Sequence, residues 1–122
     1  MFSISKNKIS LTRGDTLILN VKLTRGGAAY TPEANDVVRF AMKKKITDRE
    51  PLILKELTQN NENGNFTLKL DPEDTKSFGF GVYKYDFEFT DVEGNVCTFL
   101  LGDFELTEEV YWWAIQGHLL LL

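Results

Sequence analysis

The chain has 122 residues, with 14 Lys or Arg against 18 Asp or Glu and a formal net charge of −4. That length suits a single domain, and folding would bury roughly two-thirds of the extended chain's surface. The acidic balance argues against nucleic acid as a main partner, because phosphate binding wants a basic surface. One cysteine, Cys97, excludes an internal disulfide and with it the need for an oxidising compartment.

From the start of the chain, "MFSISKNKIS" lacks the apolar core of a signal peptide. No apolar run approaches the ~20 residues of a membrane-spanning helix. The expected setting is a soluble protein kept in a reducing cytoplasm. Arg13-Gly14-Asp15 spells an integrin-type triplet, but its placement reads as a turn: Gly14 accepts a positive φ, Asp15 bonds its own backbone, and Thr16 opens a strand. A second "LTRG" at 23–26 repeats the one at 11–14, yet nothing further along shares the period, so no repeat architecture follows.

Period-two alternation dominates what comes next. Leu17, Leu19, Val21 and Leu23 share one strand face, and Gly26-Gly27 breaks the chain behind them. Val38, Phe40 and Met42 alternate with Arg39, Ala41 and Lys43, with Pro32 and Pro51 at the boundaries. A looser strand over 52–58 carries Ile53. Asn63-Gly64 supplies a hairpin turn into 65–70, where Phe66, Leu68 and Leu70 face one way. "DPEDTKSF" alone looks helical, with Asp71 as cap and Pro72 in the first position. In "VYKYDFEF", Tyr83, Tyr85, Phe87 and Phe89 oppose Lys84, Asp86 and Glu88, and Gly94-Asn95 turns the chain into Val96–Leu101, Phe104 and Leu106. The pattern predicts an all-β fold, an antiparallel two-sheet β-sandwich of immunoglobulin-like type. It should have about seven to eight strands and one short helical turn near 71–78. Residues 1–110 form the expected domain, followed by an apolar C-terminal segment, 111–122.

Chemistry-bearing residues are sparse. The one histidine, His118, sits near the end of the sequence, a poor place for a catalytic base. Cys97 alternates with Phe99 and Leu101, which predicts a small buried apolar residue rather than a nucleophile. Asp71, Glu73 and Asp74 offer three close carboxylates, but they lack a calcium-loop order and suit a helix start. "FGFGVY" precedes a strand, whereas a phosphate loop opens a helix. Lys43-Lys44-Lys45 reads as a solvated strand end balanced by Asp48 and Glu50. No catalytic residue, metal ligand or cofactor-binding residue is therefore assigned, no enzyme activity is expected, and neither nucleic acid nor a membrane is an expected partner. The assigned positions are structural turns at Gly14, Asp15, Asn63, Gly64, Gly94 and Asn95. Tyr111, Trp112, Trp113 and Ile115, in "EVYWWAIQGHLLLL", are candidate partner contacts.

Taken together, "ISLTRGDTLILNVKLT", "DVVRFAMKK", "PLILKEL" and "LKLDPEDTKSFGFGVYKYDFEFTDVEGNVCTFLLGDFELTEEV" resemble small β-sandwich proteins from phage and prophage tail regions of Gram-positive bacteria. The likeness is to the N-terminal domain of phage baseplate upper proteins, over about residues 4–110. It rests on Gly14-Asp15-Thr16, on the strand from Val38 to Lys43, on the run leading to Tyr85-Asp86, and on Gly94, Thr98, Gly102 and Phe104. The segment from Tyr111 onward has no counterpart in that pattern. The resemblance implies a non-catalytic structural or adaptor module of a tail or baseplate. Its implied partners are other tail or baseplate proteins, or further copies of itself. It would be made in the host cytoplasm during assembly and then reside in the virion. The alternative from another class is a carbohydrate-binding sandwich that stacks Tyr30, Tyr111, Trp112 or Trp113 on host glycan rings.

Overall fold

The computed structural model describes residues 2–5, 7–60 and 65–108. Strands run in the order β1 (Phe2–Ser5), β2 (Lys8–Thr12), β3 (Leu17–Lys22), β4 (Thr24–Arg25), β5 (Ala28–Ala29), β6 (Val37–Lys43), β7 (Ile53–Glu56), β8 (Thr58–Gln59) and β9 (Asn65–Leu70). A single helical turn, α1 (Pro72–Thr75), precedes β10 (Gly81–Thr90) and β11 (Val96–Thr107). Among the described residues these form a six-stranded sheet ordered β1-β2-β11-β10-β6-β7, a three-stranded sheet ordered β3-β9-β8, and the small β4-β5 ribbon.

The alternation seen in the sequence is what joins the two larger sheets. Ile9, Leu11, Val38, Phe40, Met42, Tyr83, Tyr85, Phe87, Phe104 and Leu106 from the first sheet share one buried cluster with Leu17, Val21, Phe66, Leu68 and Leu70 from the second. At its centre Phe40 lies 5.9 Å from the ring of Tyr85, 5.3 Å from Phe87 and 6.0 Å from Phe104, in the offset and tilted arrangements that aromatic quadrupoles favour. Lys84, Asp86 and Glu88 lie on the opposite face of β10, half exposed.

Four features depart from the sequence reading. The chain has more strands than expected because short pieces count separately: 24–29 closes as a two-residue hairpin over Gly26 and Gly27, whose φ values are 60° and 83°. The looser strand at 52–58 is two strands in different sheets. β7 pairs with β6, the buried Leu57 hands the chain across, and β8 pairs with β9. β1 and β2 pair as an antiparallel hairpin, with Asn7 at φ 68° just before β2. Finally, one pairing is parallel, not antiparallel. β2 runs alongside the end of β11, with Ile9 opposite Phe104 and Thr12 opposite Thr107. It can do so because the two strands are far apart in sequence and no tight link constrains their direction.

Candidate functional site

The two corners that the sequence singles out are built from local hydrogen bonds. At Arg13–Thr16 the chain leaves β2 in the large sheet and enters β3 in the small one. Gly14 has φ 84°, where a side chain would be strained, and Asp15 N–H donates to Thr12 O at 3.0 Å. The corner is also fastened from outside. Gly14 N–H donates to the buried Thr75 Oγ1 at 2.9 Å, Arg13 Nη1 donates to Phe78 O at 3.0 Å, and Arg13 N–H donates to Thr107 O at 2.9 Å. The Arg13 guanidinium lies 4.2 Å over the Phe80 ring. Arg13 and Gly14 are thus occupied inside the protein rather than displayed as a recognition loop.

At the β10–β11 turn, Gly94 has φ 87° and Asp91 organises the loop. Its Oδ1 accepts from the N–H groups of Asn95 and Glu93, both at 2.9 Å, and its Oδ2 accepts from Asn95 Nδ2 at 3.1 Å. These donors, Asn95 first, hold the Asp91 carboxyl below its ordinary range. Asn63 and Gly64, with Tyr111, Trp112, Trp113, Ile115 and His118, lie outside the described residues.

The other charged residues singled out in the sequence sort by neighbour. Asp74 Oδ2 accepts from Asp71 N–H at 2.7 Å, the return half of a capping box, while Asp74 and Asp71 pair with Lys55 at 3.0 Å and Lys69 at 3.7 Å. Among the described residues no group of His, Cys, Asp and Glu is placed to hold a metal ion. Lys43 Nζ donates to Asp48 O at 2.8 Å, Lys45 N–H donates to Asp48 Oδ2 at 3.0 Å, and Lys44 Nζ sits 4.5 Å over the Tyr83 ring. The basic triplet is therefore engaged by its own strand end and by β10. Among the described residues no helix is long and apolar enough to cross a membrane.

Cys97 overturns an expectation. It is exposed, not buried. A β-bulge in β11 opposite Phe87 and Glu88 breaks the alternation: Leu100 pairs with Phe87 and Thr98 with Glu88, leaving Phe99 as the extra residue. Leu101 then pairs with the outward Asp86 and is 56% exposed, while Cys97 pairs with the inward Phe89. Inward at that rung means an open groove and not the core, because the opposite sheet has already given way to Leu23 and the β4-β5 ribbon.

That groove, about 270 Å³, is the candidate site. Tyr30, Phe89 and Phe99 form its aromatic wall, Leu23 and Cys97 its floor, and Arg25, Asp91 and Asn95 its polar rim. Tyr30 meets Phe89 edge-on at 5.6 Å and carries the Arg25 guanidinium at 4.9 Å over its ring. Its hydroxyl donates to Asp36 Oδ2 at 2.7 Å, and that bond, with burial second, pushes the phenol up to about 12. Tyr30 is thus fixed as part of the wall.

The groove is lined in part by β11, whose second edge is only partly paired among the described residues. β11 pairs with β10 from Val96 to Leu106 apart from the bulged Phe99, but among the described residues β2 pairs its other edge only from Phe104 to Thr107. Near Gly102 the Asn7 carbonyl approaches so closely that an added Cβ would lie 2.1 Å from it. Beyond that point, among the described residues, no strand pairs the second edge of Val96–Leu101. The stretch carries no charge, and Val96 is 60% exposed. Backbone donors and acceptors beside an apolar groove are what a docking strand uses: the main chain supplies pairing, and the groove takes its side chains.

The sequence reading named Tyr30, Asn95 and Cys97 but missed Arg25, Phe89, Phe99 and Asp91 as a group. In the sequence Phe89 and Phe99 read only as strand-face residues. Nothing local in the sequence shows that the Gly26-Gly27 turn and the "TDVEGN" turn, more than sixty positions apart, come together. No family model matches the chain, and no curated protein matches it.

Proposed function

We propose that this protein is a non-catalytic structural module of a phage or prophage tail or baseplate, working through protein–protein contacts. On this reading its fold is an immunoglobulin-like sandwich. Support comes from the two sheets, β1-β2-β11-β10-β6-β7 and β3-β9-β8, whose inward residues share one buried cluster, while the parallel β2–β11 pairing departs from the all-antiparallel form. The observation that carries the function is the uncharged edge Val96–Leu101, which no strand pairs on its second side among the described residues, beside an aromatic groove, a surface suited to another polypeptide. Its partners would be other tail or baseplate proteins and further copies of itself, met in the host cytoplasm and retained in the virion.

Immunogold labelling of particles released from the source strain tests this reading, with antibody raised against the purified chain. Label at the tail end is the expected result; particles without label, with the protein left in the cell lysate, would reject it. The carbohydrate-binding alternative gains from the groove's aromatic wall and its Arg25–Asp91 rim. Saturable binding of host cell-wall polysaccharide, weakened by Tyr30→Ala, would favour that alternative.

A further inference from the structure

The outer face of the six-stranded sheet, turned away from the core, carries a band of aliphatic side chains. One rung runs from Leu101 on β11 through Asp86 on β10 and Ala41 on β6 to Leu54 on β7. Leu54 and Leu101, at its two ends, are 57% and 56% exposed, and Ile46 is exposed beside them. It is the bulge at Phe99 that sends Leu101 onto this face. A hollow of about 100 Å³ opens there, with Ala41, Lys43, Ile46, Lys84, Asp86 and Leu101 in its lining.

Charge is divided unevenly between the two central strands. The outward residues of β10 are Lys84, Asp86 and Glu88, one cation against two carboxylates. Those of β6 are Arg39, Ala41 and Lys43, two cations and no carboxylate. Arg39 pairs with Glu88 at 3.3 Å and Lys84 pairs with Asp103, whereas Asp86 has no ion-pair partner among the described residues.

We propose that this face docks on the same face of a second copy, about a twofold axis that runs along the strands between β10 and β6. Each β10 then lies over the partner's β6. The inference rests on the reading of the protein as an assembly module and names one partner, a second copy of this chain.

Register and charge select that axis. With strands ~4.8 Å apart, β10 and β6 lie about 2.4 Å to either side of it, and β11 and β7 about 7.2 Å. The rotation exchanges the sides without shifting the rungs. Leu101 therefore meets the partner's Leu54 and Glu88 meets the partner's Arg39. Each contact occurs twice, as an isologous interface requires. The Arg39–Glu88 pairs of the two copies merge into one network of alternating sign. Asp86 faces the partner's Ala41, between the partner's Arg39 and Lys43. Lys84 and the partner's Lys43 are like-charged, but each is drawn to its own copy, Lys84 to Asp103 and Lys43 to Asp48 O. A twofold axis across the strands instead would set Asp86 on the partner's Asp86 and Arg39 on the partner's Lys43. Many segments could cover leucines, but only a copy of this face brings Leu54 to Leu101 and Arg39 to Glu88 in one register.

The contact is small. Four strands by about six residues make a face of roughly 19 by 20 Å, close to 400 Å² per copy. That is half the ~800 Å² per partner of a standard interface, so the dimer forms at high concentration and exchanges. It uses side chains on the sheet face and leaves the backbone edge at Val96–Leu101 open.

Sedimentation velocity of the full chain, from about 10 μM to 1 mM, should show monomer giving way to dimer. Arg39→Glu and Glu88→Arg each set like charges across the axis and should each remove that dimer, with unchanged circular dichroism. Mixed in equal amounts, the two variants should dimerise as the parent does, because every reversed side chain then meets its opposite. The double variant Arg39→Glu/Glu88→Arg should dimerise by itself, and it keeps the pair within each copy. Leu54→Asn should weaken the dimer without changing any charge. A parent chain that stays monomeric up to about 1 mM overturns the proposal, whether the face stays bare or the chain covers it itself. So does a dimer indifferent to either reversal, or a mixture that fails to recover it. None of these outcomes bears on particle labelling, so the tail assignment stands or falls separately.

Discussion

Replacing Thr75 by valine isolates the bond that fastens the Arg13–Thr16 corner to α1. Thr75 is fully buried, and its Oγ1 accepts the Gly14 N–H at 2.9 Å. Valine keeps the shape and removes the acceptor, so no cavity opens. A net hydrogen bond is worth about 0.5–1.5 kcal/mol, and a donor left unpaired away from water raises the loss to about 1–3 kcal/mol. For 122 residues the unfolding entropy is about 0.26 kcal/mol/K, so each kcal/mol lowers the melting temperature by about 4 °C. The expected fall is therefore about 4–12 °C by differential scanning calorimetry. Thr75→Ser keeps the acceptor and loses one methyl group, about 0.8 kcal/mol, and should fall by less. A valine variant as stable as the parent, or a serine variant that is the weaker of the two, would refute this role for the bond.

Other expectations follow from neighbouring details. Gly14→Val forces a β-branched residue to φ 84° and should lower the urea midpoint by the equivalent of about 1–3 kcal/mol, whereas Asp15→Glu should leave partner binding unchanged in a pull-down. Gly102→Ala sets a Cβ 2.1 Å from Asn7 O, at the point where Tyr85 Oη donates to the same oxygen at 2.6 Å. About 1–3 kcal/mol should be lost in urea unfolding, and an unchanged midpoint would mean that the β1–β2 turn does not sit against β11. The folded-state pKa of Tyr30 is raised above its unfolded value, so its contribution is fully present below pH 10 and lost as pH climbs from 10 towards 12. Urea midpoints at pH 9 and 11.5 should show a smaller drop in Tyr30→Phe than in the parent, and equal drops would count against the Tyr30–Asp36 bond.

Much of the core was legible because the chain writes it locally. The inward run of β10 from Tyr83 to Phe87 and the faces of β6 and β9 follow directly from alternation, and the Asp71–Asp74 cap from residue type. What escaped the sequence depends on pairing between distant segments. Nothing near Cys97 signals that Phe99 bulges, yet that one extra residue sends Leu101 outward and separates it from Cys97. Nor does anything near Leu57 say that the chain changes sheets there, or anything near Ile9 that its partner is Phe104. The groove itself forms where β2 stops short of Val96–Leu101 and the β4-β5 ribbon folds over Phe89. Its four missed residues come from two stretches of chain more than sixty positions apart.

Amide hydrogen exchange along Val96–Leu101, read residue by residue as the full chain is concentrated from about 1 μM to 1 mM, addresses the role of that edge most directly. If it receives a strand from another copy, the amides pointing away from β10 gain protection as concentration rises, while those bonded to β10 stay protected throughout. Fast exchange of the outward amides at every concentration, with light scattering reporting a monomer, would contradict it.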